Sequence, residues 1–171
     1  DFTTTYSYDA DGRVASVTAP GHNPTSYTYD GDGNTLTVTD PKSNVTTNTF
    51  NSADELTTVT RPDSSTVHYG YDADGNRTSV TDPAGHVTSY TYNALNQLTS
   101  QTTPPTAADP SGILTTYTAD GNGNTLTVGQ PGPSGTTLTT TYGYDADNRP
   151  TSISYSDGTT PGVSFTYTAE G

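Results

Sequence analysis

The side chains of this chain with chemical potential are mostly carboxylates, and several come in pairs at a fixed spacing: Asp9 and Asp11, Asp30 and Asp32, Asp72 and Asp74, Asp145 and Asp147. Gly12-Arg13, Gly33-Asn34, Gly75-Asn76 and Asn148-Arg149 follow directly. Paired carboxylates suggest two chemistries, glycoside hydrolysis and calcium binding. The first needs two carboxyl groups in unlike environments facing each other across a cleft, whereas these pairs recur nearly identically. The second, in its EF-hand form, needs Gly at the sixth loop position and a bidentate Glu at the twelfth. Here Gly is fourth, and the two Glu of the chain, Glu55 and Glu170, fall elsewhere. Turn formation accounts for the motif, so calcium at the Asp-x-Asp-Gly tips survives only as a lesser reading in which neighbouring tips share an ion.

Other chemistry is equally poorly supported. His22, His68 and His86 stand 16, 20 and 17 residues after the start of their motif copies, so repetition does not stack them into a metal or triad site. After Gly121-Asn-Gly123 the place for a third phosphate-loop glycine is taken by Leu126. No catalytic residue, cofactor site or metal ligand is assigned, and the expectation is a protein that is not an enzyme.

The elements that carry these carboxylates repeat. Tyr6-Ser-Tyr8-Asp9 recurs as Tyr27-Thr-Tyr29-Asp30, Tyr69-Gly-Tyr71-Asp72 and Tyr142-Gly-Tyr144-Asp145. Looser copies are Asn48-Thr-Phe50-Asn51, Tyr90-Thr-Tyr92-Asn93 and Tyr117-Thr-Ala119-Asp120, and an eighth opens at Phe165-Thr-Tyr167. The copies start at 6, 27, 48, 69, 90, 117, 142 and 165, and the first four intervals are all 21 residues. Tyr-x-Tyr puts two rings on one face of a strand. The Asp-x-Asp-Gly segment is turn chemistry, with Gly12, Gly33 and Gly75 at the position that needs positive φ.

A second strand follows, whose strongest position lies nine residues after the second aromatic site: Val17, Val38, Val59, Val80, Gln101, Val128 and Ile153. Pro20, Pro41, Pro62, Pro83, Pro104 and Pro131 then end it, since proline cannot donate to a ladder. Each repeat is therefore predicted to be a β-hairpin with a Tyr/Val face and a Thr/Ser face. The prediction is an all-β chain of repeated antiparallel hairpins, about 14 strands in a continuous coiling sheet. Extra residues at Pro104–Gly112 and Gln130–Gly135 read as loop insertions, and residues 1–171 as a single array.

The run from Tyr71 to Pro83, Tyr-Asp-Ala-Asp-Gly-Asn-Arg-Thr-Ser-Val-Thr-Asp-Pro, resembles the YD repeat of the Rhs family, and with the 21-residue period the resemblance covers essentially the whole chain. The family includes bacterial Rhs toxin shells, insecticidal toxin-complex cocoons and teneurin-like YD shells. The resemblance implies a sheet that winds into a hollow shell or solenoid, enclosing a toxin domain in bacterial members. It also implies an aspartyl self-cleavage motif near the end of such shells. Asp109-Pro110-Ser111-Gly112 is similar to that motif but lies between repeats, so it reads as a loop.

Fourteen strands spaced about 4.8 Å apart make a sheet roughly 67 Å wide, which closes at about 28 Å across. That is too narrow for a compact 100-residue domain spanning roughly 33 Å, so seven repeats would form one section of a wall. The chain begins as if inside a strand, at Asp1-Phe2-Thr3, and stops at Thr168-Ala169-Glu170-Gly171 as a turn opens, which suggests an excerpt of a longer polypeptide flanked by further repeats.

Composition narrows the partners. Leu, Ile, Val and Phe together make about 22 residues, or 13%, a poverty that alone would suggest disorder. The period and 13 Tyr argue instead for a half-buried sheet. With 18 acidic and 5 basic residues and a net charge of −13, no basic stripe exists for nucleic acid or anionic membrane. No apolar run is long enough to span a bilayer. The reading is a structural β-repeat segment of a secreted or surface-exposed wall around a toxin or other cargo. The alternatives are an adhesion surface binding glycans through its Tyr rows, and a cell-surface fibre that self-associates through sheet edges. Asn44-Val-Thr46 and Asn76-Arg-Thr78 fit glycosylation sequons without indicating function.

Overall fold

The computed structural model describes residues 2–168 and contains strands, turns and one short 3-10 helix. Asp1 and Ala169–Gly171, on which the excerpt reading and Glu170 fall, lie outside the described residues. Two compact units are present, Asp1–Gly85 and His86–Gly171.

The first unit holds β1 (Thr5–Tyr8), β2 (Val14–Thr18), β3 (Thr25–Tyr29), β4 (Thr35–Thr39), β5 (Val45–Phe50), β6 (Leu56–Thr60), β7 (Thr66–Tyr71) and β8 (Arg77–Thr81). The second holds β9 (Val87–Tyr92), β10 (Leu98–Thr102), β11 (Leu114–Ala119), β12 (Thr125–Pro131), β13 (Thr137–Tyr144), β14 (Pro150–Tyr155) and β15 (Val163–Ser164). Within each unit every strand pairs antiparallel with its neighbours in sequence. The all-β hairpin expectation is met, with one strand more than the fourteen expected. The addition is the two-residue β15, which pairs through Ser152↔Ser164 and Ile153↔Val163.

The register follows from the repeat. The first motif position faces the strong apolar position of the next strand: Tyr6↔Val17, Tyr27↔Val38, Tyr69↔Val80, Tyr117↔Val128 and Tyr142↔Ile153. Asn48↔Val59 and Tyr90↔Gln101 occupy the same places. A register shift just before the second motif position, as at Thr28/Tyr29 and Gly70/Tyr71, is the bulge that the glycine turn demands.

The Tyr-Asp turns and the returns at Asp40 and Arg61 use one turn design. At the Tyr-Asp end the Gly12 amide donates to the Asp9 carbonyl at 3.1 Å, and the Asp9 amide to the Arg13 carbonyl at 2.9 Å. At the return end Ser43 donates to the Asp40 carbonyl and the Asp40 amide to Asn44, each at 2.9 Å, and Arg61–Ser65 repeats the pattern. Pro41 and Pro62 thus do more than end a strand: they sit second in the turn, where their fixed φ is the one required. The left-handed position holds Gly12 (φ 78°), Gly33 (94°) and Gly75 (83°), but also Ser43 (66°), Ser64 (66°), Asp54 (60°) and Asn148 (61°).

Burial is shallow. Among the described residues only Val67, Thr115 and Gly129 fall below a tenth exposed, and most strand positions are half-buried. The rings of this thin sheet are covered sideways by their neighbours. Tyr6 and Tyr8, on β1, are 56% and 61% exposed, whereas Tyr27, Tyr69, Tyr71, Tyr90, Tyr92, Tyr142 and Tyr144 are half-buried. On the opposite face, hydroxyls pair across four of the hairpins: Ser7 with Ser16 at 2.7 Å, Thr28 with Thr37 at 2.6 Å, Thr91 with Ser100 at 2.7 Å and Thr118 with Thr127 at 2.7 Å.

The first insertion is a loop, as expected, but the second is one only in part: Gln130 and Pro131 extend β12 and pair with Leu138 and Thr137, so Pro131 does not end its strand early. Thr103 and Ile113 close the first, with the Thr103 amide donating to the Ile113 carbonyl at 3.0 Å. Asp109-Pro110-Ser111-Gly112 is a turn inside it, in which the Gly112 amide donates to the Asp109 carbonyl at 2.9 Å. The second contains the 3-10 turn Pro133–Gly135.

Candidate functional site

The residues that sequence reading singled out meet at the seams between successive hairpins. The leading Asp of each Tyr-Asp turn folds its own loop. One oxygen of Asp72 accepts the amides of Asp74 and Asn76 at 3.0 and 2.9 Å, and the other accepts the Asn76 side-chain amide at 3.0 Å. Asp30, Asp120 and Asp145 do the same with Asn34, Asn124 and Arg149. Asn51 and Asn93 fill the place neutrally, each accepting two backbone amides and pairing with Glu55 or Gln97.

These donors hold the carboxyls below their ordinary pKa. For Asp72 and Asp120 the leading influence is the side-chain hydrogen bond from Asn76 or Asn124, and for Asp145 it is the Arg149 amide. At the return turns, Asp40 is lowered chiefly by Asn44. Asp157, held by the Thr160 hydroxyl and by the amides of Thr159 and Thr160, is lowered to about 2. A cation bound at such a leading Asp would have to displace the N–H donors that make the turn. Among the described residues no group of three or more His, Cys, Asp or Glu is placed to hold a metal. His22 contacts the Pro20 carbonyl in a return turn, and His68 contacts the Thr58 hydroxyl across two strands, so each has a local role.

In four copies the second aromatic of the motif stitches its hairpin to the one before. Tyr29 donates its hydroxyl to the Val14 carbonyl at 2.9 Å, Tyr71 to Leu56 at 3.0 Å, Tyr144 to Thr125 at 3.0 Å and Tyr167 to Pro150 at 2.6 Å. The acceptor is always the first residue of the preceding hairpin's second strand: β2, β6, β12 and β14. In the third repeat Phe50 has no hydroxyl, and Asn48 donates instead to the corresponding carbonyl, Thr35, at 2.9 Å.

Arginine finishes two seams. Arg13 pairs with Asp9 and Asp11, donates to the Asp30 carbonyl at 2.8 Å and lies 4.8 Å from the centroid of the Tyr29 ring. Arg149 pairs with Asp145 and covers Tyr167 at 4.5 Å. Gln97 reaches the Asp120 carbonyl at 2.8 Å from the same turn position.

Sequence reading found the turn Asp, the Tyr pairs and the glycines but not these seam partners. The constant fifth turn position, filled by Arg13, Asn34, Asn76, Gln97, Asn124 and Arg149, was the available signal.

The RHS Repeat family model matches residues 8–45, 29–66, 50–87 and 71–104, windows that each open on the second aromatic position. Comparison with curated proteins gives no match. Among solved structures, the TcdB2-TccC3-Cdc42 crystal structure is 22% identical over 86% of this chain and 9% of its own, with a TM-score of 0.65. TcdB2-TccC3 without the hypervariable C-terminal region has the same identity and coverage and a TM-score of 0.64. The Tc holotoxin pore of Photorhabdus luminescens is 17% identical over 88% of this chain and 11% of its own, with a TM-score of 0.61. The likeness to these structures is one of fold, and the chain spans about a tenth of their length.

Proposed function

This chain belongs to the RHS-repeat family, and on that premise we propose that it is a structural, non-enzymatic section of the wall of a secreted or surface-exposed shell that encloses a toxin or other cargo. The supporting observation is the seam. Each hairpin offers the next a carbonyl acceptor and a ring site, so the unit propagates by repetition, and the leading Asp of each Asp pair is engaged in building its turn. The fold shared with TcdB2-TccC3 structures supports the same reading. The array would be read as one continuous wall, with flanking repeats of a longer chain as its first partners and an enclosed domain as its second.

Electron microscopy of the full-length protein that carries these repeats tests the proposal. Closed hollow particles, with a C-terminal domain resistant to added protease until the wall is opened, are the expected result. Indefinite filaments, or a C-terminal domain cleaved at once in intact particles, would sink the shell reading in favour of a fibre or an open adhesion surface.

A further inference from the structure

At the second motif position the seven complete repeats carry Tyr8, Tyr29, Phe50, Tyr71, Tyr92, Ala119 and Tyr144, so the sixth has a methyl group where every other has a ring. The space has not collapsed. A notch of about 280 Å³ remains there, lined by Gln97, Leu98, Tyr117, Ala119, Gly123 and Thr125. Repeat symmetry says what belongs in it. Leu98 is the first residue of β10, the place whose carbonyl receives the tyrosine hydroxyl at the seams of Tyr29, Tyr71, Tyr144 and Tyr167. Gln97 occupies the turn position from which Arg13 and Arg149 cover the ring of the next repeat.

We propose that the notch at Ala119 is a binding site for a p-hydroxyphenyl group from outside this repeat array, seated between Leu98 and Tyr117 with its hydroxyl donating to the Leu98 carbonyl. Size selects the ligand class. Apolar cavities of about 150 Å³ accept benzene, while drug-sized ligands use roughly 300–1,000 Å³. A volume of about 280 Å³ therefore suits one substituted ring and little more. Both a free phenol and the tyrosine side chain of a polypeptide present this group. The inference stands on the notch itself and does not depend on the shell reading.

The test is a titration of the 171-residue chain with 4-methylphenol, followed by amide NMR. Saturable shifts confined to Leu98, Ala119, Gly123, Thr125 and their neighbours are expected. With 4-methylanisole, whose oxygen cannot donate, binding should weaken by about two- to tenfold, the loss of one hydrogen bond. Ala119→Tyr should abolish binding by filling the notch from within, and Ala119→Phe, which fills it without the hydroxyl, provides a second variant should the first perturb folding. An acetyl-Gly-Tyr-Gly-amide arm identifies the source: tighter binding than 4-methylphenol assigns the site to a polypeptide tyrosine, and exclusion of the peptide assigns it to free phenols. Shifts that do not saturate, equal affinity for the methyl ether, or binding retained by both filled variants would overturn the proposal.

Discussion

A single aspartate defines each Tyr-Asp turn, and what matters is its accepting oxygens rather than its acidity. Asp72→Asn keeps one acceptor for the two backbone amides, as Asn51 and Asn93 do naturally, but loses the oxygen that receives the Asn76 side-chain amide, and should lower the melting temperature only slightly. Asp72→Ala removes the acceptor for three N–H donors and should lower it by several degrees, measurable by circular dichroism. Charge does matter at low pH. Because the folded-state pKa values of Asp40, Asp72, Asp120 and Asp145 lie below the ordinary 3.8, these groups stabilise the fold above that pH. Their contribution should be lost as pH falls from about 4 towards and through the folded values, about 2 for Asp157. A midpoint of urea unfolding that stays flat between pH 5 and 2.5 would contradict this. At the left-handed turn position, Ser64 (φ 66°) bears a strain that glycine lacks, so Ser64→Gly should raise stability by about 0.5–1 kcal/mol.

Hairpins join through residues whose roles exchange between copies. Removing the Tyr71 hydroxyl as Tyr71→Phe deprives the Leu56 carbonyl of its donor and should cost about 0.5–1.5 kcal/mol. The third repeat offers a sharper test, since Asn48 and Phe50 divide the work that one tyrosine does elsewhere. Asn48→Ala should destabilise, Phe50→Tyr should restore most of the loss, and the two should be non-additive by at least about 0.5 kcal/mol in a double-mutant cycle. Strand existence, pairing partner and register were legible in the sequence because Tyr27 and Val38, or Tyr142 and Ile153, keep one separation through the repeat. The seam was not legible. Whether Tyr29 meets Val14, or Arg13 meets the Tyr29 ring, depends on the lateral offset of one hairpin against the next, which periodicity along a single strand does not encode. Ser43 and Ser64 in the left-handed position were likewise missed because Pro41 and Pro62 read as strand ends rather than as the second residue of a turn.

Across the whole chain, repetition substitutes for a core. Sequence composition pointed to too few aliphatic residues for a globular interior, and the structure has half-buried faces in place of one. What such a sheet needs instead is protection from its own kind, and the net charge of −13 supplies repulsion at neutral pH. Association, followed by light scattering, should rise as pH approaches the isoelectric value near 4.1. It should begin before the turn carboxyls protonate, since theirs lie lower. Scattering unchanged between pH 7 and 4 would mean that something other than charge keeps the sheets apart.

The serial order of the strands also has a mechanical meaning. Every antiparallel bond in a ladder runs across the strands, so a pull applied to the two ends of one unit loads a terminal strand's bonds in turn rather than together. Such a unit should peel like a zipper under tension, releasing one strand and its turn at a time. With strands of the first unit starting about ten residues apart, from Thr5 to Val14 to Thr25, each step should lengthen the chain by roughly 35 Å. The turn clasps would set the height of each step, making the array yield gradually where a sheared sheet would hold and then fail at once.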